Sequence, residues 1–183
     1  MPSPRRTLTE VLSEAQRLGT LGDRPIDEVI DHARRFVPAL EGVTGRVIDI
    51  GTGAGVPGLV IAEARPDLRL TLLDRRQTRM DALRLAVTGM GLEDQVEVIT
   101  GDTDVVAKDP ERTGAYSAVV ARGFGPPLET AREARPFLVD GGVLVVSEPP
   151  EWDPNRWPSD DLRSLGFGPA ERMAGVVRII LGG

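Results

Sequence analysis

A doubly wound α/β fold, a mostly parallel sheet with helices on both faces, is what the sequence predicts. Three observations predict it. From residue 45 onward, apolar runs of strand length alternate with helical patterns. The first such run, "GRVIDIG", leads straight into a glycine cluster that opens a helix, and the second, "LRLTLLD", ends on an acid. Strands separated by helices pair in parallel, and their crossovers turn right-handed.

Each element follows from its local pattern. Residues 8–19 ("LTEVLSEAQRLG") repeat apolar positions at helical spacing and stop on glycine. "IDEVIDHARRFVPAL" predicts one helix over 26–40, opened by Pro25. Strand 45–51 is followed by helix 56–66, stopped by Pro66, and strand 68–74 by helix 75–91, with glycine at its end. "QVEVITGD" (95–102) and "AYSAVVARG" (115–123) are strands, "PPLETAREARPFL" (126–138) a helix and "GGVLVVSEPP" (141–150) a strand. "DDLRSLGFG" (160–168) is a helix, and 170–183 holds one or two final strands. The stretch 148–160, rich in proline and aspartate, is a loop of the kind that covers active sites at strand carboxyl ends.

Bulk properties narrow the classes. With 183 residues, 40% hydrophobic and 27% charged, the chain has globular composition, expected as a single domain over 1–183 with 1–42 as a helical N-terminal extension. No apolar run reaches the roughly 18–20 residues that span a bilayer, so no membrane partner is expected. "MPSPRRTLTEV" has no apolar signal core and cysteine is absent, which predicts a cytoplasmic protein without disulfides, thiol catalysis or Cys-based metal sites. A monomer is expected, with no metal. A net charge of −6 argues against a large nucleic-acid footprint, although arginines cluster at Arg5–Arg6, Arg34–Arg35 and Arg75–Arg76–Arg79.

The glycine cluster carries the chemistry. Gly51, Gly53, Gly55 and Gly58 lie where a doubly wound sheet binds its ligand, outside the carboxyl ends of the strands. Glycine permits a sharp turn and lets a ligand lie on bare backbone. An ordinary strand–helix turn would need one glycine, not four in eight residues. Gly53, Gly55 and Gly58 do spell G-x-G-x-x-G, with Asp74 about 20 residues on, as in dinucleotide sites. Counted from the turn at Gly51, however, the third glycine is Val56. Asp49, two residues before Gly51, is also an odd neighbour for a pyrophosphate. S-adenosyl-L-methionine fits the charges better, because it carries an ammonium and a sulfonium and no phosphate. Asp49 can attract that cationic end, and Asp74 can accept both ribose hydroxyls. Asp102 or Asp104, after the third strand, could face the adenine, or be ordinary loop acids.

These segments resemble a known family. "VIDIGTGAGVPGLVIAEARPDLRLTLLD", "VEVITGDTDVV" and "AVVARGFGPP" are similar to the ribosomal RNA small-subunit methyltransferase G family, and "GTLGDRPIDEVIDHARRF" resembles its N-terminal helix, with His32 at the usual histidine. The resemblance implies a class I, Rossmann-like methyltransferase fold with seven strands and S-adenosyl-L-methionine as donor. It further implies methylation of a guanine N7 in 16S ribosomal RNA, with the 30S subunit as partner. By position, Gly51, Gly53 and Gly55 line the methionine portion, Asp74 the ribose, and Thr103 and Asp104 stand where the family contacts adenine; Thr52, Pro57, Arg75 and Asp102 beside them are further cofactor-binding candidates. Arg122 matches the family's A-R-A arginine.

Three positions depart from the family. "ARRF" follows His32 where a polar segment is usual, Glu148 stands for a cation at the end of the fifth strand, and Asp102 for an arginine. Each removes or reverses positive or polar character on the expected RNA face. A small-molecule acceptor and a non-catalytic cofactor-binding protein therefore remain alternatives. On the substrate side the candidates are Arg122 (a ligand carboxylate, an RNA phosphate or an ion pair), Phe124 (base stacking or core) and His32 (substrate contact or a structural bond). Trp152 and Trp157 either cover a flat substrate or anchor their loop; anchoring is favoured. Arg75, Arg76 and Arg79 form either a solvated helix face or an RNA contact.

Overall fold

The computed structural model describes residues 5–151 and 153–182, so Trp152 lies outside the described residues. Seven strands form one sheet: β1 (Arg46–Ile50), β2 (Arg69–Asp74), β3 (Val96–Thr100), β4 (Tyr116–Ala121), β5 (Leu138–Ser147), β6 (Glu171–Met173) and β7 (Val176–Ile180). Their spatial order is β3-β2-β1-β4-β5-β7-β6. The first five pair in parallel, and β7 runs antiparallel to β5 and to β6. The order reverses between β1 and β4, and a ligand crevice opens at such a switch point.

Side-chain alternation along the central strands builds two cores. Val47, Leu70, Leu72, Ala118, Val120, Val143 and Val145 face one side. There they meet α1 (Leu8–Arg17), α2 (Ile26–Arg34), α3 (Phe36–Ala39), α4 (Gly58–Ala64) and α5 (Gln77–Met90). Ile48, Ile50, Leu73, Val119, Ala121, Leu144 and Val146 face the other, under α7 (Pro127–Ala134) and α8 (Ser159–Ser164). Burial on both faces explains why these strands are continuously apolar.

Local signals set the helix ends. Thr7 and Glu10 form a reciprocal capping box at the start of α1, with Thr7 N–H donating to Glu10 Oε2 at 2.7 Å. α5 ends on Gly91 in the left-handed region, φ 68°.

Several predicted boundaries move. The single helix expected over 26–40 is two, α2 and α3, parted at Arg35. Pro38 cannot donate to the carbonyl of residue 34, and its ring crowds that turn. A short helix not anticipated from sequence, α6 (Thr103–Val106), follows β3. β5 begins at Leu138 rather than residue 141, because Leu138 pairs with Tyr116 before a register shift in β4. It ends at Ser147, ahead of Pro149–Pro150.

At the amino ends of the strands, away from the glycine turn, polar groups tie the sheet. Tyr116, fully buried, accepts from Arg46 at 3.2 Å and Arg112 at 3.0 Å. Arg112 also grips Glu97 with two bonds of 2.7 Å.

Candidate cofactor and acceptor site

The turn after β1 is shaped by backbone that side chains would obstruct. Gly51 and Gly53 have φ of 66° and 59°, where L side chains are strained. A Cβ on Gly51 would stand 2.6 Å from the ring of Phe124. The Val56–Pro57 peptide is cis, and α4 then starts at Gly58.

Asp49 holds this turn from beneath. Its Oδ2 accepts from Thr52 Oγ1 at 2.7 Å and from the Gly58 N–H at 2.9 Å. Its other oxygen, Oδ1, is buried without a hydrogen-bond partner among the described residues. Burial pushes the Asp49 carboxyl up to about 7, against the hydrogen bonds from Thr52 and Gly58 and the charge of Arg122. Asp49 thus sits behind the turn and does not line a cleft.

Asp74, at the carboxyl end of β2, does. Its Oδ2 accepts from the Gly53 N–H at 3.1 Å and its Oδ1 from the Arg76 N–H at 3.0 Å. Each oxygen keeps a lone pair for a further donor. The cleft in front of it has a volume of about 550 Å³. Gly51 and Asp74 line it, as do Arg75, Arg76 and Arg79. Asp102, Thr103 and Asp104 line it too, with Glu129 and Glu133 of α7. Burial raises the Glu133 carboxyl, with Asp104 and Glu129 adding repulsion. Thr52, Gly55 and Pro57 are buried in the turn itself.

Phe124 and Gly123 also line a second hollow, of about 340 Å³, beyond the cleft. His32, Arg24 and Arg35 line it together with Ser147 and Glu148 at the end of β5. A third hollow, also about 340 Å³, shares Arg24, His32, Gly123 and Ser147 with it and adds Arg122. Of the residues expected at the substrate, His32, Arg122 and Phe124 therefore converge here, and Arg122 lies on this side rather than in the cleft. Arg24 was missed from sequence, and Arg35 was noted only as part of an arginine pair. The three-residue spacing of His32 and Arg35 puts them on one helical face, which was the available signal.

Glu148 is sequestered. Its Oε1 accepts from the Trp157 indole N–H at 2.9 Å, and its Oε2 from Arg156 Nε at 3.0 Å. Trp157, 3% exposed, packs in the core under α8, so it anchors the loop. With Glu148 paired to Arg156, the hollow beside it keeps the positive charge of Arg24 and Arg35, and the adjoining one that of Arg24 and Arg122. These three form no ion pair or side-chain hydrogen bond with any described residue.

The strand order, the antiparallel β7 and the glycine turn facing Asp74 define the class I methyltransferase fold. A solved structure described as a SAM dependent methyltransferase from Aquifex aeolicus is similar, with a TM-score of 0.63 at 17% identity over 92% of this chain and 97% of that one. The [4+2]-cyclase SpnF is similar too (TM-score 0.56, 23% identity, 77% of this chain and 56% of that one). A family model described as rRNA small subunit methyltransferase G matches residues 11–148, and the chain belongs to that family. A protein named ribosomal RNA small subunit methyltransferase G from Kineococcus radiotolerans is 38% identical over 120 residues, 66% of this chain and 43% of that protein. One of the same name from Mycolicibacterium smegmatis is 38% identical over 133 residues, 69% of this chain and 54% of that protein. The chain spans about half the length of these relatives. Among the described residues no helix is long and apolar enough to cross a membrane.

Proposed function

We propose that the chain is a cytoplasmic, monomeric S-adenosyl-L-methionine-dependent methyltransferase that acts on a guanine N7 of 16S ribosomal RNA. The observation that carries this is Asp74, bonded to the glycine turn and still open to the cleft. Its planar carboxylate suits two adjacent ribose hydroxyls. The backbone from Gly51 to Gly53 has no side chain to hinder a methionine chain, and Asp102, Thr103 and Asp104 lie at the adenine end. Asp49 acts through the turn it braces. Family membership supports both donor and substrate.

The donor, when bound, supplies an electrophilic methyl group on a sulfonium. Guanine N7 offers a lone pair and has no proton to lose, so no general base is required. His32 is then free to serve in recognition. The residues around Phe124 would act by alignment, which can recover on the order of 7–11 kcal/mol of barrier. The unpaired cations beyond Phe124 favour an RNA acceptor over an uncharged small molecule, whereas the net charge of −6 keeps an alternative acceptor in play.

Calorimetry with S-adenosylhomocysteine tests the first half: micromolar-range binding that Gly53→Arg abolishes is expected, and no binding at millimolar ligand would end the reading. Methylation of 30S subunits that lack this modification tests the second. Transfer to a small acceptor but not to 30S would replace the RNA reading.

A further inference from the structure

We infer that Arg24, Arg35 and Arg122, gathered around His32 on the far side of Phe124 from the cofactor cleft, form a binding site for a phosphate group of the acceptor. The inference rests on reading this side as the acceptor side, and it deepens that reading by naming the chemistry recognised there.

Three separate segments supply the cations. Arg24 precedes α2, Arg35 follows it, and Arg122 follows β4. Guanidiniums repel one another, and placing three around His32, with Arg24 and Arg35 on one hollow and Arg24 and Arg122 on the adjoining one, has a cost that Asp49 offsets only at Arg122 and that an anion would offset further. The fold makes room for the arrangement. Arg35 lies over Gly175 in the β6–β7 turn, where a Cβ would stand 2.5 Å from Arg35 Nη1 and displace the guanidinium. Glu148, which lines the hollow with Arg24 and Arg35, is engaged by Arg156 and Trp157 and does not serve as their counter-ion.

His32 reports on the site. Its Nδ1 is buried and unpartnered among the described residues. Burial lowers its pKa, and Arg122, Arg35 and Arg24, in that order, lower it further. Facing it from the surrounding elements are these arginines, with the Glu148–Arg156 pair on the same wall. A phosphate held by the arginines reverses the local sign and favours the imidazolium, which then donates as well. Anion binding is thereby coupled to proton uptake, and affinity rises as pH falls through the imidazole's range.

His32 is the only histidine, so its ring protons give a unique NMR titration. Inorganic phosphate, compared with chloride at equal ionic strength, is expected to raise the His32 midpoint by about one unit. Arg24→Gln/Arg35→Gln should abolish that rise while leaving S-adenosylhomocysteine affinity unchanged. Retained cofactor affinity separates failure of this site from failure of the methyltransferase reading. If the double variant melts early, Arg24→Gln alone, at an exposed position, should reduce the rise. Guanosine 5′-monophosphate and a single-stranded RNA oligonucleotide tell the sources apart. Response to RNA at concentrations where the mononucleotide is silent assigns the site to backbone phosphates, and the converse to a small phosphorylated acceptor. A midpoint that no phosphate species moves, or one that moves equally in the double variant, overturns the inference.

Discussion

Asp49 shows how one buried carboxylate can govern a turn. Its folded pKa of about 7 lies above the ordinary value of 3.8, so between those values the native chain holds a proton that the unfolded chain releases. Stability attributable to this group therefore falls as pH rises from about 4 to about 7 and levels off above. The slope from one proton is at most about 1.4 kcal/mol per pH unit. Urea midpoints at pH 5 and pH 8 should converge in Asp49→Asn relative to the parent protein, and identical pH differences in both would refute the assignment. The sequence showed that an acid stands before the glycines. It did not show that the acid turns inward, because that depends on Thr52 and Gly58 closing over it.

Strands and long helices were legible because burial on a known face imposes a period. The glycine turn and the acid ending β2 were legible because their chemistry is local. The break at Arg35, the short α6 and the early start of β5 at Leu138 were not, since each is settled by a proline in context or by a partner strand. The loop after β5 is the clearest case. From sequence Glu148 reverses a charge at the acceptor face, whereas in the fold it binds Arg156 and Trp157 and pins the segment. Glu148→Gln should keep the indole bond, weaken the Arg156 bond and lower stability by about 1–3 kcal/mol. Proteolysis within 148–158 should quicken, and an unchanged cleavage rate would deny the clamp. At the opposite end of the sheet, Tyr116→Phe leaves Arg46, Arg112 and Thr71 short of a partner. A loss of about 1–3 kcal/mol in denaturant titration, with unaltered S-adenosylhomocysteine affinity, is expected there.

For the molecule as a whole, an acidic total conceals a cationic recess. The excess of 28 acidic over 22 basic residues argued from composition against nucleic acid, but composition carries no information about placement. Arg24 and Arg35 flank α2 and Arg122 follows β4, and only the fold brings these two regions together around His32. Contact with one phosphate of single-stranded RNA would give log K a slope of about −0.7 against log salt. Fluorescence anisotropy between low and physiological salt measures it, and a flat response would exclude electrostatic recognition of RNA.

Phe124 lies against Gly51 on one side and lines the arginine-rich hollow on the other. A single ring is thus a party wall between two chambers. Should a guest in one chamber shift the ring, whatever factor it imposes on a guest in the other is returned in equal measure. A donor held against Gly51 and an acceptor held in the hollow would share that ring, and each would then have to be measured in the presence of the other.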